Sequence, residues 1–197
     1  MISGPLGTQF VCDFFSKFEY TDGKILVVRA SDFNALGYDP NAYAATDFYS
    51  GQITIQINSL MCNTVDPIAV FETIQHELVH AEIRRQLRVN YNLDPLGWSY
   101  SACFFEFVYE NYDSGADFTE HEIMLRYFLN PMIESLIEMN NGVGTEQDFK
   151  GLVLNGFPLD VLFACGYSPG EVTSLYYTYL DFIDRPGNIN SMILNCE

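Results

Sequence analysis

Two histidines and a glutamate within the sequence QHELVH, residues 75–80, have the types and spacing that most clearly indicate chemistry in this chain. Residues four positions apart lie on the same face of an α-helix, so His76 and His80 can direct both imidazoles at one metal ion. Glu77 is close enough to reach a water held by that metal without binding the metal itself. This HExxH pattern predicts the zinc site of a hydrolase, with Glu77 as its general base.

A catalytic zinc ion needs a further ligand, and the composition narrows the candidates. Such an ion takes three protein ligands and keeps one open position. The chain has three histidines, and the one outside the motif, His121, stands beside Glu122 in a second stretch with helical character. Imidazole and carboxylate groups both bind zinc, so His121 and the neighbouring Glu122 are both candidates for the third ligand.

The elements before the motif are those of a small β-rich region, residues 1–60. Residues 24–30 (KILVVRA) and 51–58 (GQITIQIN) predict strands, the second with apolar and polar residues in alternation. The residues between them, 31–50, contain Gly, Pro, Asn and Tyr and predict mainly loop.

The elements after this region are predicted to be helices. Asp66 and Pro67 begin a long active-site helix over about residues 66–89, because proline is tolerated at the first helical position. Pro131 is expected to kink or split a later helix. The later helices are predicted at residues 98–112, 117–139, 145–155, 158–165 and 170–184. The expected fold is α+β in a single domain, residues 1–197, with a small N-terminal β-sheet packed on the HExxH helix and a mainly helical part over 98–197.

Composition limits the partners and the location. Of the 197 residues 48% are hydrophobic and 18% charged, which favours a well-packed core. The net charge of −17 argues against binding to nucleic acid or to an anionic membrane, and it suits a cationic or neutral partner. Five cysteines without a CxxC pair are typical of reduced thiols. Since we find neither a signal peptide nor a membrane-spanning run, we expect a cytoplasmic protein, or one delivered by an unconventional route.

An HExxH helix that follows an amphipathic strand resembles the zincin metallopeptidases, over about residues 50–130. In that superfamily a strand at the edge of the active-site cleft precedes the helix and pairs with extended substrate. The stretch from Ile53 to Asn58 is similar in placement, so the resemblance implies substrate binding there by β-strand addition.

The third ligand distinguishes the classes of zincins. Metzincins use HExxHxxGxxH, but Ile83 and Gln86 stand where the glycine and the third histidine belong, which excludes that class. Thermolysin-like zincins take a glutamate from a later helix. The glutamates with workable spacing for that role are Glu106, Glu110, Glu120 and Glu122.

The sequence EHEIM at residues 120–124 looks more like the SprT-like minimal zincins. That resemblance implies His121 as the third ligand, with Glu122 as the alternative. The chain departs from the SprT-like pattern at Glu82, where a hydrophobic residue is expected, and it lacks basic or zinc-ribbon elements. A role linked to DNA is therefore not expected.

Three further groups of side chains have candidate roles around the motif. Tyrosines that could stabilise an oxyanion are Tyr100, Tyr109 and Tyr127. The basic residues that complement the dipole at the end of the active-site helix are Arg84, Arg85 and Arg88. One acidic residue could accept the second N–H of a ligating histidine. The candidates are Glu106, Glu110, Asp113, Asp117, Glu120 and Glu122.

The sequence thus predicts a zinc-dependent metallopeptidase, a protease of peptide or protein substrates that uses no nucleic acid or membrane partner. His76, His80 and His121 are expected to hold Zn²⁺, and Glu77 to act as the general base. One alternative is a catalytically inert zincin-fold protein that serves a structural or interaction role in a larger assembly. Another is a zinc hydrolase that acts on a small amide instead of a peptide.

Overall fold

A long helix and a three-stranded sheet organise the residues that the computed structural model describes, namely 9–19, 26–49, 52–61, 66–91, 108, 111 and 119–185. The fold is α+β, with a small sheet followed by a mainly helical part, as the sequence predicts. The strands are β1 (Leu26–Ser31), β2 (Ala44–Tyr49) and β3 (Gln52–Asn58). The helices are α1 (Gln9–Glu19), α2 (Phe33–Leu36), α3 (Pro67–Tyr91), α4 (Glu120–Ile123), α5 (Leu129–Met139), α6 (Glu146–Asn155), α7 (Leu159–Ala164) and α8 (Pro169–Ile183).

Strand β3 is the centre of the sheet, whose order is β1-β3-β2. It runs parallel to β1 and antiparallel to β2. Its isoleucines share a face with Thr46 of β2, because residues paired directly across strands point to the same side and Thr46 pairs with Ile55. Thr46 contacts Glu77 of α3, so this apolar face packs on the long helix. On the opposite face Gln56 accepts hydrogen bonds from Arg29 and Ser31 of β1.

The central position of β3 corrects the prediction that Ile53 to Asn58 pairs with substrate. Both edges of β3 are occupied by β1 and β2, so no third strand can add to it. Residues 31–50 were predicted mainly as loop, which is also wrong, since they contain α2 and β2. The sequence of β2, AATDFY, has little apolar alternation, and its strand conformation depends on pairing with β3.

Helix α1 is a second departure, since residues 1–60 were expected to be β-rich. Its buried side chains Val11, Phe14 and Phe18 recur at helical spacing and lie on the face that packs against α3 and α5. Cys12 on the other face is an exposed free thiol, and Cys165 is a half-buried free thiol.

Helix α3 confirms the long helix expected at about residues 66–89. Asp66 begins it, with its carboxylate accepting the N–H of Ile68. Every residue from Val70 to Ile83 is buried, so the helix is enclosed on all sides over nearly four turns. The buried set includes polar and acidic side chains, which are rarely enclosed unless they are paired or functional.

The helix predicted at 117–139 has three parts in the structure. Thr119 caps α4 in a reciprocal capping box with Glu122, and a five-residue π-helical segment, Met124–Phe128, joins α4 to α5. The distortion precedes Pro131 instead of falling on it. A proline inside a helix lacks the N–H for the carbonyl four residues earlier and crowds that carbonyl, which here lies in the widened π-helical turn.

Helices α6, α7 and α8 confirm the predictions at 145–155, 158–165 and 170–184 to within about two residues. Gly151 is required where α6 and α8 meet, because a Cβ there would lie 2.1 Å from the carbonyl oxygen of Leu175. The helix predicted at 98–112 lies outside the described residues except for Val108 and Asn111, both helical. None of the helices in the described part of the chain is long and apolar enough to cross a membrane.

Candidate metal centre

Three imidazoles converge at the junction of α3 and α4. His76 and His80 project from one face of α3, and His121 is the second residue of α4. The Nε2 atoms of His76 and His80 are 3.2 Å apart, and that of His121 lies 3.2 Å from the first and 3.1 Å from the second. Three nitrogen ligands of one tetrahedral zinc ion are about 3.3 Å apart when each Zn–N bond is about 2.0–2.1 Å. The triangle therefore has the dimensions of a single metal site.

The electronic state of the imidazoles also suits a metal. The Nδ1 atom of His80 lies 2.5 Å from Oε2 of Glu120 and donates its proton there, so the Nε2 atom of His80 faces the other two rings. Burial lowers the pKa of His76 well below its usual value, and the neighbouring His80 and His121 lower it further. Burial likewise lowers the pKa of His121 to about 4. Neutral imidazoles with converging lone pairs are the form that binds a metal cation.

Glu120 orients the ring of His80 without belonging to the histidine triangle itself. Burial alone would raise the pKa of Glu120, but the hydrogen bond from His80 and the charge of Arg84 lower it overall. The Nε atom of Arg84 lies 3.7 Å from the Glu120 carboxylate, and another nitrogen of the same guanidinium donates to the carbonyl of Thr46 at 2.5 Å. This chain of contacts ties β2 to α4 through Arg84 and fixes the ring of His80.

We expect Glu120→Gln to weaken zinc binding by about 10- to 100-fold, because His80 then loses the carboxylate that fixes its tautomer and raises its basicity. Competition with a chromogenic chelator measures the dissociation constant. Glu134→Gln, the same change at an exposed glutamate of α5, is the matched control and should leave the constant unchanged. Equal zinc affinities of Glu120→Gln and wild type would contradict this role.

Glu77 is held by a strand that was not expected from the sequence. The hydroxyl of Thr46 on β2 donates to Oε2 of Glu77 at 2.5 Å and lies 3.2 Å from the Glu77 carbonyl oxygen. Glu77 is buried and follows His76 directly on α3. Its carboxylate thus has one defined orientation in the wall of the cleft that His76 also lines.

A cleft of about 290 Å³ opens beside these residues. His76 and Glu77 are part of its wall. Its other lining residues are Asn41, Tyr43, Ala44, Ala69, Glu72, Thr73, Leu152, Asn155 and Gly156. The ring of Phe157, which follows α6, packs against His76 in a tilted arrangement and against His121 edge-on, with centroids 5.0 and 5.7 Å away. An apolar ring at this position limits water access to the imidazoles from that side.

Several predicted residues lie elsewhere or serve other purposes. The carboxylate of Glu122 accepts the N–H of Thr119 in the capping box, which turns it to its own helix end. Tyr127 is exposed in a groove formed with α1, outside the cleft that holds His76. The candidates outside the described residues are Tyr100, Tyr109, Glu106, Glu110, Asp113 and Asp117.

The arginines of α3 do not serve mainly to complement the helix dipole, because Arg84 and Arg85 lie more than a turn before the last residue, Tyr91. Arg85 instead forms two hydrogen bonds to the buried carboxylate of Glu82, at 2.6 and 2.9 Å. Arg84 bridges Glu120 and β2 as described above. The two arginines therefore compensate carboxylates that are buried or partly buried, Arg85 that of Glu82 and Arg84 that of Glu120. The side chain of Arg88 lies outside the described part.

Comparison of the chain with family models, with curated proteins and with solved structures finds no match. The functional interpretation therefore depends on the chemistry of these side chains. Within the described residues, the three histidines are the group of potential ligands that lie close enough to share one ion.

Proposed function

We propose that this protein is a zincin-like, zinc-dependent metallopeptidase. The observation that carries the proposal is the triangle of Nε2 atoms of His76, His80 and His121, 3.1–3.2 Å on each side, with the buried Glu77 beside it at the wall of a cleft. Three imidazoles and one free position are the ligand set of a catalytic zinc, whereas structural zinc sites have four protein ligands.

The residues of the chain divide the catalytic work between them. When bound, zinc supplies a Lewis acid that polarises a substrate carbonyl and lowers the pKa of water. Glu77 takes the proton of the attacking water and passes it to the leaving amine. Thr46 keeps the Glu77 carboxylate in position, and Glu120 keeps the His80 ring in the tautomer that presents Nε2.

The exposed edge of the sheet supports a peptide as the substrate. Strand β2 is the edge strand next to α3, and its outer edge pairs with no other strand of the described residues. An extended peptide can add to such an edge through main-chain hydrogen bonds, although the Thr46 carbonyl on this edge already accepts a hydrogen bond from Arg84. The cleft starts at Tyr43 and Ala44, where β2 begins, and reaches His76 and Glu77. A peptide on β2 would therefore lie beside the candidate catalytic residues.

We expect zinc-loaded protein to cleave members of a quenched fluorescent peptide library. A chelator should abolish the cleavage, and added zinc should restore it. Protein that binds one zinc ion and cleaves none of the peptides would contradict the proposal and favour an inert scaffold. Hydrolysis of short amides without cleavage of peptides would instead favour a small-amide hydrolase.

Thr46→Val should lower kcat by about tenfold, because valine has the shape of threonine but cannot donate a hydrogen bond to the buried carboxylate of Glu77. Zinc content should stay as in wild type, since Thr46 contacts none of the three histidines in any described hydrogen bond. Thr46→Ser keeps the hydroxyl and should restore most of kcat. An unchanged kcat in Thr46→Val, or no rescue by serine, would exclude a positioning role for this hydroxyl.

A further inference from the structure

Glu72 is a buried acid that the proposed catalysis does not use. It lies one turn before His76 on α3 and is 5% exposed. Its Oε1 atom is enclosed and has no hydrogen-bond partner in the described part of the chain. The acids nearest the three histidines do have partners: Thr46 for Glu77 and His80 for Glu120. Glu72 is thus the exception among the acids that surround the metal centre.

An enclosed carboxyl oxygen without a partner is unfavourable, and such groups in folded proteins call for an explanation. Burial, and secondarily the charge of Glu77, raise the pKa of Glu72 well above its usual value. Both causes would be relieved by a cation or a strong hydrogen-bond donor placed next to the carboxyl group. Glu72 lines the cleft, so a cationic group bound there would lie next to it.

The cleft has the chemistry of a site for a positive charge. Its described lining contains no lysine or arginine, and besides Glu72 and Glu77 it includes the polar residues Asn41, Tyr43, Thr73 and Asn155. A volume of about 290 Å³ lies at the lower end of the range of ligand sites, which suits one side chain better than a whole small molecule. The net charge of −17 also attracts cationic peptides to the protein.

Gly156 lies against both Glu72 and His76. A Cβ at this position would lie 3.4 Å from Oε1 of Glu72 and 3.7 Å from Nδ1 of His76. The backbone of Gly156 has ordinary right-handed helical angles, φ −76° and ψ −6°, which any residue can adopt. The glycine is therefore not needed for the turn, and what it provides is space between Glu72 and His76.

We propose that this cleft binds a lysine or arginine side chain of the peptide substrate, at a residue adjacent to the scissile bond, with the Glu72 carboxylate as the counter-charge. The inference rests on the proposed peptidase function and assigns its specificity. Glu72 acts as a binding residue, while Glu77 and the histidines perform the chemistry.

Matched peptides that differ at one position next to the scissile bond test this specificity. We expect kcat/KM to be about 10- to 100-fold higher for lysine or arginine than for norleucine, which has a similar length and no charge. In Glu72→Gln the ratio of lysine to norleucine should fall towards one. Gly156→Ala should also lower the ratio, because the added methyl group occupies the space next to Oε1 without changing any charge. Glu134→Gln, an exposed acid-to-amide change, should keep the wild-type ratio.

A binding measurement separates this inference from the peptidase function. Zinc-loaded Glu77→Gln protein, which should not cleave, is titrated with fluorescein-labelled lysine and norleucine peptides, and anisotropy gives the two dissociation constants. Tighter binding of the lysine peptide, with the preference removed in Glu77→Gln/Glu72→Gln, would support the cation site even if the wild type cleaves nothing. Cleavage without preference for a cationic residue would overturn the cation site and leave the peptidase intact.

The alternative role for Glu72 is to orient His76. A measurement of zinc affinity distinguishes this role from the binding of a cationic side chain. If Glu72→Gln lowers zinc affinity and leaves the ratio of lysine to norleucine unchanged, the cation site is excluded. If Glu72→Gln does not fold, Gly156→Ala decides: a lower ratio supports the site, and an unchanged ratio overturns it.

Discussion

His121→Ala should reduce the zinc content of the purified protein from near one ion per chain to near none. The mutation removes one of the three Nε2 atoms, and the two that remain on α3 cannot complete a catalytic zinc site alone. Mass spectrometry of protein purified gently and without chelators measures the metal content.

Glu122→Gln is the control that separates the two candidates for the third ligand. The carboxylate of Glu122 caps α4 through the N–H of Thr119, and glutamine can take the same part in a capping box. We therefore expect this variant to keep its zinc. Zinc retained in His121→Ala and lost in Glu122→Gln would contradict the three-histidine centre and make the glutamate the third ligand.

Glu77→Gln should lower kcat by about 10²- to 10⁴-fold, the usual contribution of a general base. The amide has the size of the carboxylate and can still accept the hydrogen bond of Thr46 through its oxygen, but it cannot take a proton from water. Zinc content and circular dichroism should match those of the wild type, because Glu77 belongs to neither the histidine triangle nor the apolar core. The measurement is the rate of cleavage of a peptide selected from the library.

Loss of both zinc and activity in Glu77→Gln would mean that the residue is structural, which contradicts its role as a base. A rate equal to that of the wild type would contradict the mechanism more directly. An inert scaffold would show no rate in either protein, so the comparison requires a peptide that the wild type cleaves.

The local parts of the site could be predicted from the sequence. The spacing of His76 and His80 places them on one helix face, and Asp66 and Pro67 mark the start of that helix. The start of α8 is equally local, since Ser168 and Glu171 form a capping box next to Pro169. In each case the signal lies within a few residues and does not depend on the remainder of the fold.

The contacts between elements could not be predicted in this way. Thr46 was assigned to a loop, because β2 has little alternation and acquires its strand conformation from β3. The stretch from Ile53 to Asn58 was expected to pair with substrate, but alternation shows only that a strand has two faces, and not how many neighbours it has. Arg84 was interpreted from its position near a helix end, whereas its partners come from β2 and α4.

For the acidic residues around His121, the sequence predicted the role but not which residue has it. Their number suggested that one carboxylate would accept the second N–H of a ligating histidine, and the structure places Glu120 at His80 Nδ1. Glu120 and Glu122 differ by two positions on α4, so one faces α3 and the other the helix start. The sequence alone could not distinguish them, because that choice depends on how α4 docks against α3.

X-ray absorption at the zinc edge is the most direct test of the metal centre. It counts the atoms bound to the ion in the purified wild-type protein and distinguishes imidazole from sulfur ligands. We predict three imidazole nitrogen atoms, contributed by His76, His80 and His121, and one further oxygen atom from solvent. A shell with sulfur, fewer than three imidazoles, or protein that holds no zinc at all would contradict the account.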